Sequence, residues 1–214
     1  MKDKRVSGGI AMILLAIALT GCGLTSYHPE QSGIFVRKNG TVKGAEIESF
    51  DNSAYAEPRY QEDELKAFVE ETVSSYNQET TGQTGAYSKD ADGLKVTIDD
   101  FSVKNSVATL VLNYATTEDY IEFNDGGENV LTLDLMTAPE AAEAGAVLTG
   151  LKDSEGNSVA EDAASNEKYY VVSVSGNTEV TVEGKILGIS DGGSITGKRT
   201  AEVSSETEVL ILFR

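Results

Sequence analysis

The sequence predicts an α+β fold, built from mostly antiparallel sheet with one main amphipathic helix and short accessory helices. Three observations carry the prediction. Strand-like runs with period-two alternation crowd both ends of the chain and are separated by turn residues. One segment near residue 70 has helical periodicity. The order of elements is hairpin, helix, hairpin, short helices and then more strands, which is α+β with mostly antiparallel pairing.

The elements follow in order. Residues 33–49 hold two strand-like runs, near 34–38 and 41–48, around Asn39-Gly40, a pair that tolerates positive φ and favours a tight hairpin. Over Glu62 to Gln78, Leu65, Phe68, Val69, Val73 and Tyr76 fall at offsets 0, 3, 4, 8 and 11, one face of a helix. Glu62, Asp63 and Glu64 occupy its first turn, where acidic groups favour the dipole, and Gly82 and Gly85 close it. Residues 94–116 alternate again, with Lys104-Asn105-Ser106 as the turn between antiparallel strands. Thr117 is placed to cap a short helix from Glu118 to about Asn124, ended by Asp125-Gly126-Gly127.

Residues 129–136 read as a strand and Pro139 to Glu143 as a short helix. Leu148–Lys152 and Ser158–Ala160 flank a turn at 153–157. The remainder reads as five strands, at Tyr169–Val174, Glu179–Val182, Lys185–Ser190, Ala201–Ser204 and Glu208–Phe213, with glycine turns at 176 and 191–193 between some of them. No repeat of fixed period and no domain boundary is evident in 33–214.

The most specific feature precedes the fold. Lys2, Lys4 and Arg5 begin the chain, Ile10 to Leu19 are apolar, and Leu19-Thr20-Gly21-Cys22 ends the leader on the chain's single cysteine. The apolar run is short of the ~20 residues that cross a bilayer and fits a secretory signal. The arrangement resembles the lipobox of bacterial lipoproteins. That resemblance implies cleavage between Gly21 and Cys22 and a diacylglyceryl group on the Cys22 thiol. Two acyl chains suffice for stable anchoring where one is marginal. The expected organisation is a cleaved signal over 1–21, a tether over 22–32 and a single α+β domain over 33–214.

Asp63-Glu-Leu-Lys66 through Tyr76-Asn77, Ala115-Thr-Thr-Glu-Asp-Tyr120 through Phe123-Asn124, and Val182-Glu-Gly-Lys-Ile-Leu187 through Ser190-Asp191 are similar to small lipoproteins of anaerobic Gram-positive gut bacteria. That family is uncharacterised, so the resemblance implies no catalytic residues. It implies a single-membrane cell, with the domain on the outer face of the cytoplasmic membrane.

Composition narrows the chemistry. Without Lys2, Asp3, Lys4 and Arg5, the 17 basic and 35 acidic residues become 14 and 34, a formal charge of −20. Nucleic acid is excluded as a partner, because phosphate binding needs clustered cations. The expected partners are the membrane, through the lipid on Cys22, and an envelope protein or peptide. After the leader there is one histidine, His28, in the tether, and no cysteine beyond Cys22. Ser-His-Asp and Cys-His catalysis and a His/Cys zinc site therefore have no residues to use. No cofactor is expected.

Asp90-Ala-Asp92-Gly93, with Asp99 beyond, matches part of a calcium loop. However, the first ligand position falls on Ser88 and Lys95 replaces the usual aliphatic residue, so a plain turn is the stronger expectation. Glycosidase chemistry would need paired carboxylates and aromatic platforms. The chain has no Trp, and adjacent Tyr169 and Tyr170 on a strand would face opposite ways. The function expected is a non-enzymatic, membrane-anchored binding or interaction module of the cell envelope. The alternatives are a solute-binding transporter component and, after it, a carboxylate-dependent cell-wall hydrolase.

Overall fold

The computed structural model describes residues 27, 29–50, 61–124 and 129–214. The leader, Cys22, His28 and the glycine pair at 126–127 lie outside the described residues. Among the described residues nine strands form one sheet: β1 (Gly33–Val36), β2 (Val42–Ser49), β3 (Val96–Lys104), β4 (Val107–Tyr114), β5 (Val130–Thr137), β6 (Tyr170–Val182), β7 (Ile186–Ile189), β8 (Gly193–Ile195) and β9 (Thr200–Phe213). The helices are α1 (Glu62–Thr81), α2 (Thr117–Phe123) and α3 (Ala138–Glu143). Strand order is β3-β4-β2-β1-β6-β9-β7, with β5 also on β6 and β8 also on β9. Every pairing is antiparallel except β1 with β6, so the α+β expectation holds.

Both expected hairpins are present, and their turns differ in conformation. At Asn39-Gly40 only Gly40 has positive φ, 88°. Asn39 works through its side chain instead, with Oδ1 accepting from the Thr41 N–H at 3.1 Å and the Thr41 hydroxyl at 2.8 Å. The turn with two consecutive positive-φ residues is Asn105-Ser106, at 52° and 62°, the pattern of a type I′ turn that matches strand twist.

Helix α1 runs past the predicted end at Gln78. Thr80 and Thr81 bond back to the carbonyls of Tyr76 and Asn77, and Gly82 in the left-handed region closes the helix. Its inward line runs Leu65–Val69–Val73–Asn77 in steps of four, half-buried at Leu65 and Val69 and fully buried at Val73 and Asn77, each step turning the line by about 40°. That drift leaves Phe68, expected to be buried, 68% exposed, and brings polar Asn77 into the interior. Helix α2 starts one residue early because Thr116, not Thr117, is the cap, its hydroxyl accepting from the Asp119 N–H. Thr137 and Glu140 form a reciprocal capping box on α3.

The largest departure is in the C-terminal half. Four of the five predicted strands merge into two continuous ones, β6 and β9, paired along most of their length. Gly176 makes a bulge and not a turn, and residues 204–208 continue β9. Each long strand changes partners midway. β6 pairs with β5 over its first half and β1 over its second, and β9 pairs with β8 and then β7. Side chains from both halves meet in one core holding Ile34, Val96, Leu133, Val180, Ile189 and Phe213. A second cluster under α3 holds Leu148, Leu151, Val171 and Leu212. Tyr169 packs with the second cluster and Tyr170 with the first, on opposite faces as expected of neighbours on a strand.

Candidate functional site

Strand register builds a candidate site on the face of the sheet opposite the main core. Ile34 and Val36 point into the core, so Phe35 between them points the other way. Register then fixes a cross-strand row over six strands: Thr97 beside Asn113, Asn113 beside Lys43, Lys43 beside Phe35, Phe35 beside Thr181, and Thr181 beside Thr200. Apart from Phe35 the row is polar. Phe35 belongs to neither apolar cluster, yet it is 0% exposed. Tyr27 stacks on it with ring centroids 5.4 Å apart, and the guanidinium groups of Arg37 and Arg199 each lie 5.5 Å from its centroid.

The described end of the predicted tether is therefore part of this face. Beyond Tyr27, Gln31 donates to Glu179 at 2.8 Å, and the Ser32 hydroxyl accepts from the Ile47 N–H at 2.8 Å. The Tyr27 hydroxyl is buried with no partner among the described residues, and burial, first of all, holds its pKa well above the ordinary phenol value.

Two open grooves flank Phe35. The first, of about 520 Å³, is lined by Tyr27, Gln31, Glu30, Glu179, Arg199 and Glu202 among others, and its charge is mainly acidic. Burial raises the Glu179 carboxyl above its ordinary value; Glu202 and Glu30 add to this and the Gln31 amide opposes it. A carboxyl raised in the folded state binds its proton more readily there than in the unfolded chain. Its contribution to stability therefore improves as pH falls through the folded pKa, and levels off below the ordinary 4.5. Glu179→Gln is expected to be more stable than the parent at pH 7. That difference should shrink as pH approaches 4.5, as followed by thermal unfolding across a pH series. A difference that stays constant or widens on acidification would contradict the assignment.

The second groove, of about 530 Å³, lies on the other side of the ring and gathers Arg37, Lys43 and Lys95 with Asp99, Asn113 and Tyr114. Lys43 reaches Asp99, which also accepts from Asn113 at 3.2 Å. Burial alone would raise the Asp99 carboxyl, but these two hydrogen bonds, together with the charges of Lys43 and Arg37, outweigh it and hold the group below its ordinary value. Lys95 pairs with Asp119 at 2.8 Å and Glu122 at 3.5 Å, both on α2. Helix α2 is fixed in turn by aromatic contacts: Tyr114 with Tyr120 at 4.9 Å and Tyr76 with Phe123 at 5.1 Å, both edge-on. Asn124 adds a hydrogen bond to the Tyr114 hydroxyl.

The three aspartates of the partial calcium loop are engaged separately. Asp90 accepts from the N–H groups of Ala86 and Tyr87 at 3.0 and 2.9 Å, Asp92 is exposed in the turn, and Asp99 pairs with Lys43. Among the described residues no three His, Cys, Asp or Glu side chains gather to hold a metal ion. The residues that do converge are Tyr27, Phe35, Arg37, Lys43 and Arg199. The one local signal for them was an aromatic residue out of phase with Ile34 and Val36 in β1.

No protein-family model matches the chain, and no curated protein matches it. Among solved structures, the folded domain of LppM from Mycobacterium tuberculosis, determined by NMR, is similar over 90% of this chain and 95% of that one, with 10% identity and a TM-score of 0.34. A correspondence that loose carries no argument about function.

Proposed function

We propose that this chain is a lipid-anchored binding module on the outer face of the cytoplasmic membrane, and that it is not an enzyme. The observation that carries the reading is Leu19-Thr20-Gly21-Cys22 at the end of a basic and then apolar leader. Two further features support it. Tyr27, five residues beyond Cys22, already stacks on the sheet, so the path from lipid to folded domain is short. The face it covers carries two open grooves of small-ligand size. No helix among the described residues is long and apolar enough to cross a membrane, and the lipid on Cys22 would supply the attachment.

Non-enzymatic binding is supported by the sequence after the leader, which holds one histidine, His28, and no cysteine but Cys22. Groove dimensions that suit a small molecule favour, as a second reading, the solute-binding component of a transporter.

Globomycin, which blocks the lipoprotein signal peptidase, tests the anchor in the native host. The expected result is accumulation of a larger, uncleaved form, while Cys22→Ala releases the chain from the membrane fraction. Unchanged size under globomycin and unchanged fractionation of the variant would defeat the proposal.

A further inference from the structure

We infer that the groove formed by Arg37, Lys43 and Lys95 binds a small organic carboxylate with an apolar body; this rests on reading the chain as a binding module. The whole chain has a formal charge of −18, yet three cations and one acid line this groove. The cations are not equally occupied. Lys95 is neutralised from behind by Asp119 and Glu122. Lys43, with its side chain only 13% exposed, has Asp99 as its one acceptor among the described residues, so it retains donor capacity. Arg37 makes no ion pair among the described residues and is held over the Phe35 ring. Its guanidinium fork matches the two oxygens of a carboxylate.

The rest of the groove supplies apolar surface, with Leu94 and Ala115 in its lining. A bare inorganic anion would leave that surface unused, whereas a carboxylate on a short apolar body would use both. The neighbouring groove, on the far side of Phe35, carries Glu30, Glu179 and Glu202 against Arg199. It repels the same ligand and serves as an internal comparison.

The probe is 3-phenylpropanoate, titrated into the full chain in a non-ionic detergent by calorimetry. Backbone amide NMR shifts locate the site, and the neutral 3-phenylpropanamide and inorganic phosphate serve as comparisons. Binding of the carboxylate should perturb residues around Lys43, Thr97 and Asn113 and weaken with added salt. Arg37→Gln should weaken it about tenfold, the scale of one charge-assisted hydrogen bond. Asp99→Asn should tighten it, because it frees Lys43 and removes the groove's own anion. Weaker binding by Asp99→Asn would overturn the inference.

Amide or phosphate binding as tightly as the carboxylate would overturn the inference, as would Arg37→Gln leaving affinity unchanged. Probe binding at the Glu179 groove overturns it and leaves the binding-module reading intact. Absence of binding at millimolar probe overturns it too, while the anchoring result with globomycin still judges the broader reading.

Discussion

Replacing Asn77 with alanine is expected to lower the free energy of unfolding by about 4 kcal/mol, among the largest effects a single side chain outside the apolar core can have. Asn77 is 0% exposed and uses its whole hydrogen-bonding capacity. Its amide donates to the carbonyls of Gly85 and Val96 at 2.8 and 2.7 Å, and its Oδ1 accepts from the N–H groups of Lys95 and Val96 at 3.1 Å each. One side chain thus joins the last turns of α1, the 85–94 loop and the start of β3. Removing it strands four backbone groups; stranding each would cost ~1–3 kcal/mol singly, less than additively together. For a domain of this size the loss corresponds to a fall in Tm of roughly 10 °C. Chemical denaturation with a two-state fit checks the value, and a loss under about 1 kcal/mol would show that water or a local shift replaces Asn77. The change should also reach the cationic groove, because Lys95 is held through its own backbone by Asn77 and lines that groove.

Asn77 also shows where sequence reading reaches and where it stops. Helix α1 was legible because its apolar residues recur within one segment. The same pattern counted Phe68 on the face, since it matches an idealised spacing from Leu65, whereas the packed line moves round the helix by about 40° every four residues. A buried asparagine has no periodic signature that separates it from a surface one. The strands of the first half were legible for the same local reason, and their turns could be placed though not typed. In the second half, a glycine between two alternating runs reads equally as a turn or a bulge, and only the partner strands decide. The binding face was the least legible feature. Lys43, Phe35 and Thr181 are neighbours only because β1 lies between β2 and β6, with one pairing antiparallel and the other parallel. No window of sequence contains that row.

Gly176→Ala is expected to cost about 3 kcal/mol or more, and Gly40→Ala only about 1 kcal/mol, although both positions have positive φ. The difference is space. At Gly40 (φ 88°) a Cβ would have no heavy atom outside its chain neighbours within 4 Å, so only backbone strain is felt. At Gly176 (φ 131°) a Cβ would lie 2.2 Å from the Asn129 carbonyl oxygen and 2.9 Å from the Val130 Cα. Those are backbone atoms that cannot rotate aside. Moving them would disturb the Asn177 N–H bond to the Asn129 carbonyl, at 2.7 Å, and the Val130 pairing of β5. Gly176 also sits at the register shift between β6 and β9, close to where β6 leaves β5 and joins β1. The bulge therefore positions the second half of β6, including Glu179 and Thr181, alongside Phe35 in the face that Tyr27 covers. Paired denaturation curves for the two variants test this directly, with amide hydrogen exchange across β5 and β6 as the local readout. Equal losses for the two alanines would mean that β5 can retreat freely, and that Gly176 is retained for its dihedral angle alone.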